Sequence, residues 1–520
     1  MTKKTKKTLV ILGSILLVLL VTFFIANYYA KRKLKTLVAN LPEHIQLQYE
    51  VADIGLLSGN LRLEKPLLTI KGKTTQGTIA KIKLESLVIQ DLSYWNLWVH
   101  DHISLDRIAL NDAEITYFHN KLVQDDAYNS SVGNKLKQDI GVEVFEISNA
   151  SVEVFDQATD SLMFKTRHLS LKLDAVAATS KTLTSKLPID FKNLSFKTEA
   201  LKFQMNEFDD LYMDSINITK THSKFSGLAI KTKYSKSGLS KRLKKERDHF
   251  NVTIASAEVF DQDAGFHKDS MFDFRSKKVV FTSPKLEIYR DKLVADDPVR
   301  KDLYSKMLRT LGFNLALDEL VLKDASIIYE EKVKQENPAG QLQFKQLEAT
   351  MFNVGNTYKE PIHIDIASKF MKDTPLKVRW DFDVHDVNDH FMFEADLGAL
   401  RAEDLNPFMT PNLNITLDGE LNQTYFTIDA NANTGSIDLK TAYEQFDVNI
   451  LKEGGNKKNK LLSGLVNLFV ANTSQKKEDG YRYGHAKQVE RDKTKSVFNY
   501  VWLNTKSGLL SAMTGGGKKK

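Results

Sequence analysis

The chain has 520 residues, a formal net charge of +7 and no cysteine. The lack of cysteine excludes thiol catalysis, thiolate metal sites and a disulfide-supported extracellular domain. Residues 1–35 hold eight basic and no acidic residues, so removing these charges from +7 leaves −1 for the other 485 residues. A near-neutral remainder lacks the basic surface that nucleic-acid binding requires, and we therefore expect no nucleic-acid partner.

The first element along the chain is an uncharged stretch at residues 8–27, rich in Leu, Ile, Val and Phe. At helical rise its 20 residues span about 30 Å, the thickness of the hydrocarbon core of a bilayer. The stretch is longer than the core of a signal peptide, and residues 28–30 lack a small-x-small cleavage pattern. Residues 1–35 are therefore predicted to form a cytoplasmic tail and a transmembrane signal anchor, with a cleaved signal peptide as the alternative. Basic residues flank the stretch on both sides, so charge alone does not decide its orientation.

A strand phrase then recurs along the chain. In residues 103–118, apolar residues alternate with polar ones on either side of two polar residues and Ala113. Further copies centre on Ala150, Ala257 and Ala325, and the spacings of 37, 107 and 68 residues approximate one, three and two times a unit of about 35 residues. Each copy predicts a strand, a tight turn at the polar pair and a second strand. The alternative is that amphipathic strands of any large β protein resemble one another.

Helical patterns are few. Short helices are expected around residues 91–98 and 132–138, and another after Asp297, with Pro298 at its first position. Two amphipathic helices are expected near the C-terminus, where they would cap the open edge of a β stack, with contact to a membrane as the alternative. The apolar face of the first is formed by Leu461, Leu465, Leu468 and Phe469. That of the second is formed by Phe498, Val501, Trp502, Leu509 and Ala512.

With these features the chain resembles the AsmA-like proteins of Gram-negative envelopes. The N-terminal anchor and the strand phrases carry part of the resemblance. Residues 405–407 and 435–443 are similar to the characteristic end of AsmA-like domains, and residues 329–331, 338–344 and 481–508 resemble Bacteroidetes members. The resemblance covers most of the chain, although none of these motifs is as specific as a metal or nucleotide signature.

The resemblance implies a relative of the bridge-like lipid-transfer proteins. The expected fold is mainly β: an N-terminal transmembrane helix followed by an elongated, curled antiparallel β-sheet groove built of repeats, with a few short helices and C-terminal capping helices. The expected regions are the β-groove at 36–400, AsmA-like strands at 401–453, amphipathic helices at 454–514 and a disordered tail at 515–520. With about 485 residues beyond the anchor, the chain is shorter than the members thought to reach the outer membrane.

The apolar sides of the repeated strands are the candidate lipid-binding residues. A strand with one apolar side must cover it, and in a sheet that curls without closing, acyl chains can do so. The side chains expected to line the groove are Ile103, Leu105, Ile115, Tyr117, Val152, Val154, Val252, Ile254, Leu315, Leu317, Ile327 and Tyr329.

No P-loop, GxSxG, HExxH or GxGxxG motif occurs, so neither enzymatic activity nor a cofactor is expected. The candidate metal ligands are His100, Asp101 and His102, and His385 and Asp386 with Asp389 and His390. His100 and His102 would share one side of a strand, a spacing that can ligate zinc, but no further ligand can be assigned and no metal site is predicted. The expected function is lipid binding or transfer in envelope homeostasis, by a single-pass protein of the bacterial inner membrane whose bulk lies in the periplasm. The expected partners are a phospholipid or other envelope lipid, the inner membrane and envelope proteins. The alternative is a non-catalytic scaffold or assembly factor for envelope proteins.

Overall fold

The structure is a computed structural model of the chain. It describes residues 28–29, 31–36, 38–39, 41, 43–72, 77–120, 138–182, 185–267, 271–452, 474 and 480–515. The expected anchor at 8–27 and the first expected C-terminal helix lie outside these residues, as does nearly all of the helix expected at 132–138. Within the described part of the chain, no helix combines the length and hydropathy of a membrane span.

The chain divides into two compact units, one of Met1–Gln204 with Met213–Lys220 and one of Met205–Tyr212 with Thr221–Lys520. Both units are mainly β, as expected. Strand β12, Asp209–Thr219, has residues in each.

Unit 1 contains eleven further described strands, and its helical residues lie at 28–29, 31–36 and 38–39 and in a short helix, α1, at Tyr94–Val99. Its strands are β1 Ile45–Gln48, β2 Val51–Gly55, β3 Asn60–Glu64, β4 Leu67–Lys71, β5 Thr78–Lys83, β6 Ser86–Gln90, β7 His102–Asn111, β8 Glu114–His119, β9 Asp139–Asp156, β10 Leu162–Ala178 and β11 Asn193–Gln204.

Unit 2 contains the remaining strands and helices of the described chain. Its strands are β13 His222–Thr232, β14 His249–Phe260, β15 Asp263–His267, β16 Met271–Thr282, β17 Lys285–Asp291, β18 Asn314–Lys332, β19 Gly340–Gly355, β20 Ile362–Phe370, β21 Thr374–Phe382, β22 Phe391–Leu397, β23 Leu400–Arg401, β24 Ile415–Ala430, β25 Thr434–Ile450 and β26 Arg482–Glu490. Its helices are α2 Lys236–Ser240, α3 Tyr304–Arg309, a 3-10 turn Ala402–Leu405, α4 Asn406–Leu413 and α5 Val497–Met513.

The helix expected directly after Asp297 begins later than predicted, at Tyr304. Asp297 does not cap it. Its carboxylate instead accepts hydrogen bonds from Lys245 and from the amide of Val299, and residues 297–299 are not helical.

The repeated phrase is one long strand broken by a bulge, so the predicted turn between two strands is wrong. Strands β7 and β8 both continue along β9 in parallel, with Asn111 beside Ser148 and Glu114 beside Ser151. The residue at the break is Asp112, whose φ of 50° lies in the left-handed region. Aspartate and asparagine tolerate this region better than most residues, and a single such residue produces a bulge as readily as a turn. Asn149 in β9 and Asp324 in β18 occupy the same place with φ of 52° and 50°.

The sheet of each unit is mixed, which corrects the expectation of an antiparallel sheet. The parallel pairs are β7 and β8 with β9 in unit 1, and β16 and β17 with β18 in unit 2. The copies at Ala113 and Ala150 lie side by side, because their spacing of 37 residues equals the register offset between β7 and β9. Parallel neighbours require a long crossover, and about 20 residues separate the end of β8 from the start of β9.

The copy at Ala257 does not belong to this parallel arrangement. Its strand, β14, runs antiparallel to β16 and β17. Where β16 and β17 run parallel to β18, Pro284 lies level with Ala325. The residue before it, Ser283, has a φ of 48°. Proline can therefore take the position that alanine holds in the other copies. A search of the sequence for that alanine does not find the copy at Pro284.

Candidate functional site

The bulges keep the apolar side chains of a strand on one side of the sheet. In a regular strand, residues three apart point to opposite faces. Leu110 and Ile115 nevertheless pack in one cluster with Ala113, because the extra residue at Asp112 shifts the alternation by one. In unit 2, Leu322 and Ile327 pack with Ala325 in the same way. The spacing of three residues, from Leu110 to Ala113 and from Leu322 to Ala325, thus keeps the apolar side chains before and after the bulge on the same face of the sheet.

In unit 1 the apolar residues form four rows that cross the sheet, and we call these rows the apolar face. Each row joins residues directly opposite one another on successive strands. The first row is Ile45, Ile70, Ala80, Tyr117, Val154, Phe164 and Phe203. The second is Leu47, Leu68, Ile82, Ile115, Val152 and Thr166. The third is Ala52, Leu63, Leu87, Leu110, Ile147, Leu171 and Phe196. The fourth is Ile54, Leu61, Ile89, Ile108, Phe145, Leu173 and Leu194.

The other side of the same strands is polar. One of its rows is Gln46, Thr69, Lys81, Thr116, Glu153, Lys165 and Lys202. Ion pairs such as Lys83 with Glu114 and Arg107 with Glu146 join neighbouring strands there. This side therefore suits water, and the apolar face is the side that needs a cover.

Protein covers the apolar face only in part. Of the residues in the four rows, only Leu63, Ala80, Thr166 and Leu173 are buried, and Phe203 is exposed. The other side chains keep part of their surface in contact with solvent. A second sheet packed on this face would have removed them from water, as happens in a β-sandwich. The face is thus a broad apolar surface that can accept another apolar molecule.

In unit 2 the corresponding side is open at one end and covered at the other. Around β18 and β19, Ile327 and Phe344 are partly buried neighbours. Towards the C-terminus, helix α5 lies on strands β24 to β26 and closes a core that contains Trp380, Ile437 and Tyr500. Helix α5 therefore packs on the face of these strands, whereas the sequence predicts that it covers the open edge of the stack.

The side of α5 that faces the sheet agrees with the prediction at Val501, Leu509 and Ala512, which pack in the core, and differs from it at Phe498 and Trp502. Its buried residues are Val497, Tyr500, Asn504, Gly508 and Ala512, whereas Phe498 and Trp502 are exposed. At Gly508 and Ala512 the buried residues are small because the helix backbone touches β26 there: a Cβ on Gly484 would lie 2.0 Å from the carbonyl oxygen of Gly508. Large aromatic side chains do not fit into such a contact.

The structure brings the twelve predicted groove residues together in local groups. In unit 1, Ile115 lies beside Val152 and Tyr117 beside Val154 on the apolar face, and Leu105 lies beside Val142 further along β7. Ile103 lies beside Ile140. Ten of the twelve are only partly buried, while Leu105 and Leu317 are buried at 8 % exposure each.

The unit 2 members of the set also adjoin one another. Val252 and Ile327 are both level with Leu286, on either side of β17. Tyr329 lies beside Leu342, Ile254 beside Leu228, and Leu315 and Leu317 share a cluster with Val279. The neighbours supplied by the strands between the repeats, such as Ile82, were missed, although their own alternation of apolar and polar residues could have revealed them.

Polar groups occupy the end of β18 in unit 2. The hydroxyl of Tyr329 donates a hydrogen bond to Glu331 at 2.6 Å. Burial raises the pKa of Tyr329 far above its ordinary value, and the negative charge of Glu331 raises it further. Tyr329 is therefore a neutral hydrogen-bond donor at any physiological pH, with its ring beside the apolar residues and its hydroxyl among polar ones.

His385 and Asp389, two of the residues considered as zinc ligands, have structural contacts. Nε2 of His385 contacts the carbonyl of Tyr358, and Asp389 accepts hydrogen bonds from Ser305 and Arg309. Among the described residues, no group of three or more His, Cys, Asp or Glu is placed to hold a metal ion.

The chain matches no family model, and no curated protein is similar enough to count as a match. The apolar face is therefore the main guide to function.

Proposed function

We propose that the protein is a lipid-binding and lipid-transfer protein of the AsmA-like type, anchored in the inner membrane and contributing to outer-membrane or envelope homeostasis. The observation that carries this proposal is the apolar face of unit 1, whose rows cross six or seven strands and stay partly exposed. Acyl chains lying on it would cover the aliphatic side chains that the fold leaves in water. No catalytic step is part of the proposal.

The dimensions of the face suit lipid chains. Six spacings of about 4.8 Å between seven strands give a width of about 29 Å. Each methylene group that leaves water stabilises the complex by about 0.8 kcal/mol, so a continuous apolar surface binds long chains better than separate patches would. The polar opposite side keeps the sheet soluble while the apolar face is occupied.

The inner-membrane location is part of the same proposal and rests on the uncharged stretch at 8–27 and the cysteine-free remainder. Alkaline phosphatase fused after Lys520 is expected to be active, because that enzyme folds only in the oxidising periplasm. A fluorescent protein that matures in the cytoplasm should stay dark at the same position. An inactive phosphatase with a bright fluorescent fusion would contradict the location.

Changing Ile115 to Asp is expected to remove most bound phospholipid while leaving the protein folded. Ile115 is partly exposed, so the new carboxylate can reach water, and we expect a loss of only about 1 to 2 kcal/mol in the free energy of unfolding. The measurements are mass spectrometry of lipid extracted from the detergent-purified protein and a melting curve of the same sample. Ile327→Asp applies the same test to unit 2.

The matched control is Thr116→Asp. Thr116 is the next residue of β8, points to the polar side and lies between Lys81 and Glu153, so a carboxylate there gains one attractive and one repulsive neighbour in contact with water. The same substitution should therefore leave lipid content unchanged and shift melting only slightly. Collapse of the melting curve in Ile115→Asp and Ile327→Asp would show a closed core and contradict the proposal. Wild-type protein that carries no lipid but a stoichiometric protein partner would instead favour the scaffold alternative.

A further inference from the structure

Four large apolar side chains project into solvent at one corner of unit 1. Leu57 is 86 % exposed, Trp95 69 %, Trp98 78 % and Val99 54 %. Leu57 lies in the turn between β2 and β3, and the other three lie on α1. We call these four residues the Trp patch.

The turn and the helix that carry the Trp patch are fastened to each other. The hydroxyl of Tyr94 donates a hydrogen bond of 2.7 Å to the carbonyl of Leu56, and the amide of Leu92 donates one of 3.2 Å to Gly59. Gly59 has φ of +68°, and a Cβ there would lie 2.6 Å from the amide nitrogen of Leu92, so only glycine permits this close approach. The apolar side chains are thus presented on a fixed support.

Single exposed apolar residues are common on soluble proteins and need no explanation. The Trp patch differs because it concentrates two of the four tryptophans of the chain on one six-residue helix. Tryptophan is enriched where a protein meets the lipid headgroups, since its ring is apolar and its N–H can still bond to water or to a lipid oxygen. The composition of the patch therefore fits a bilayer surface.

The position of the patch points to the same occupant. Strands β1 and β2 form an edge of the sheet in the described part of unit 1, with β1 paired to β4 and β2 to β3. The chain enters this edge at Ile45, after exposed basic residues at 31–33 and 35, and leaves it at Gly55, two residues before Leu57. The eleven residues from Ile45 to Gly55 span about 35 Å. The chain thus reaches one end of this edge ten residues after the basic Lys35 and leaves the other end at the Trp patch.

We infer that the Trp patch docks on the bilayer that holds the proposed anchor, so that the β1–β2 edge rests along the membrane surface. The inference rests on the proposed membrane anchoring. Indole rings at one end and basic residues facing anionic headgroups at the other give two separate attachments, and stable membrane association commonly needs two. Ile54 and Leu61 of the apolar face lie next to the patch, so a lipid leaving the bilayer there meets an apolar surface at once.

The test is fluorescence of the full-length protein in vesicles of phosphatidylethanolamine and phosphatidylglycerol. Lipids brominated in the upper part of the acyl chain quench tryptophan only at close range. We expect them to quench a large share of the wild-type emission and to leave most of the emission of a Trp95→Phe/Trp98→Phe variant, which retains Trp380 and Trp502. Equal fractional quenching in the two proteins, both bound to vesicles, would overturn the inference.

Two further readouts separate the possible failures. If wild-type protein does not float with the vesicles, the proposed anchoring fails, and the inference fails with it. If the protein floats and Trp98→p-benzoylphenylalanine is irradiated in cell membranes, an adduct of phospholipid mass supports bilayer docking. An adduct with a polypeptide would overturn it and identify the patch as a protein-binding surface.

Discussion

Changing Glu246 to Gln is expected to lower the free energy of unfolding of unit 2 by about 3 kcal/mol. The side chain of Glu246 is 3 % exposed and accepts hydrogen bonds from Lys495 at 2.6 Å and Lys292 at 2.9 Å. Removing one charge of a buried pair is costly because its partners stay buried without compensation. These contacts join residues 246 and 292 to the segment that leads into α5, so the loss should also loosen the helix.

The effect of Glu246→Gln should depend on pH. Burial alone would raise the pKa of Glu246, but hydrogen bonds from Lys495 and Lys292 outweigh burial and lower the pKa to about 2 from an ordinary 4.5. Because the folded-state pKa lies below the unfolded value, the carboxylate stabilises the fold fully above about pH 4.5. This stabilisation, about 3 kcal/mol for such a shift, is lost as the pH falls towards 2.

Denaturant unfolding of wild type and variant at several pH values measures this difference. The gap between the two proteins should be constant near neutral pH and should shrink below about pH 4.5. Asp373→Asn is the control, because its ion pair with Lys369 is exposed and contributes at most about 0.5 kcal/mol. A gap that is unaffected by pH would show that the loss comes from altered packing and not from charge.

Changing Gly484 to Val is expected to displace α5 from the sheet. A Cβ at Gly484 would lie 2.0 Å from the carbonyl oxygen of Gly508 and 3.0 Å from the Cβ of Ala512. Backbone at that distance cannot yield as a flexible side chain can, so we expect destabilisation of about 3 kcal/mol or more, above the usual range for overpacking. Limited proteolysis should then cleave within α5 well before it cleaves the wild type.

The control for this change is Gly265→Val. Gly265 also lies in a strand, β15, but no atom outside its neighbours lies within 4 Å of the Cβ position. Valine is favourable in strands, so this variant should melt close to the wild type. Equal protection of α5 in Gly484→Val and wild type would contradict the described contact between the helix and β26.

Strand content and the direction of the apolar side chains could be predicted because both depend on local alternation. The spacing of three residues from Leu110 to Ala113 and two from Ala113 to Ile115 was visible in the sequence. Whether it indicates a turn or a bulge was not. The aspartate and asparagine that precede the alanines favour a left-handed residue in a turn and in a bulge alike. The pairing of β9 with both β7 and β8 is what distinguishes a bulge from a turn. That pairing joins residues far apart in the sequence, so local sequence does not reveal it.

The mixed sheet was missed for a related reason. A repeat spacing of 37 residues does not by itself state whether two copies pair in parallel or lie apart with antiparallel strands between them. The Ala257 copy shows the difficulty, since it matches the phrase in sequence and yet runs antiparallel to its neighbours. For α5, the helical pattern was correct, whereas the buried side depended on the distant Gly484.

The four rows of unit 1 have a consequence for any lipid that moves across the face. On the proposed lipid-binding function, an acyl chain that advances by one strand, about 4.8 Å, exchanges one neighbour for another, and nearly all of these neighbours are apolar. The chain therefore stays in contact with apolar side chains at each step, although these range in size from alanine to phenylalanine. Movement on such a surface is one-dimensional diffusion, and net flux follows from how fast lipid is supplied at one end and removed at the other.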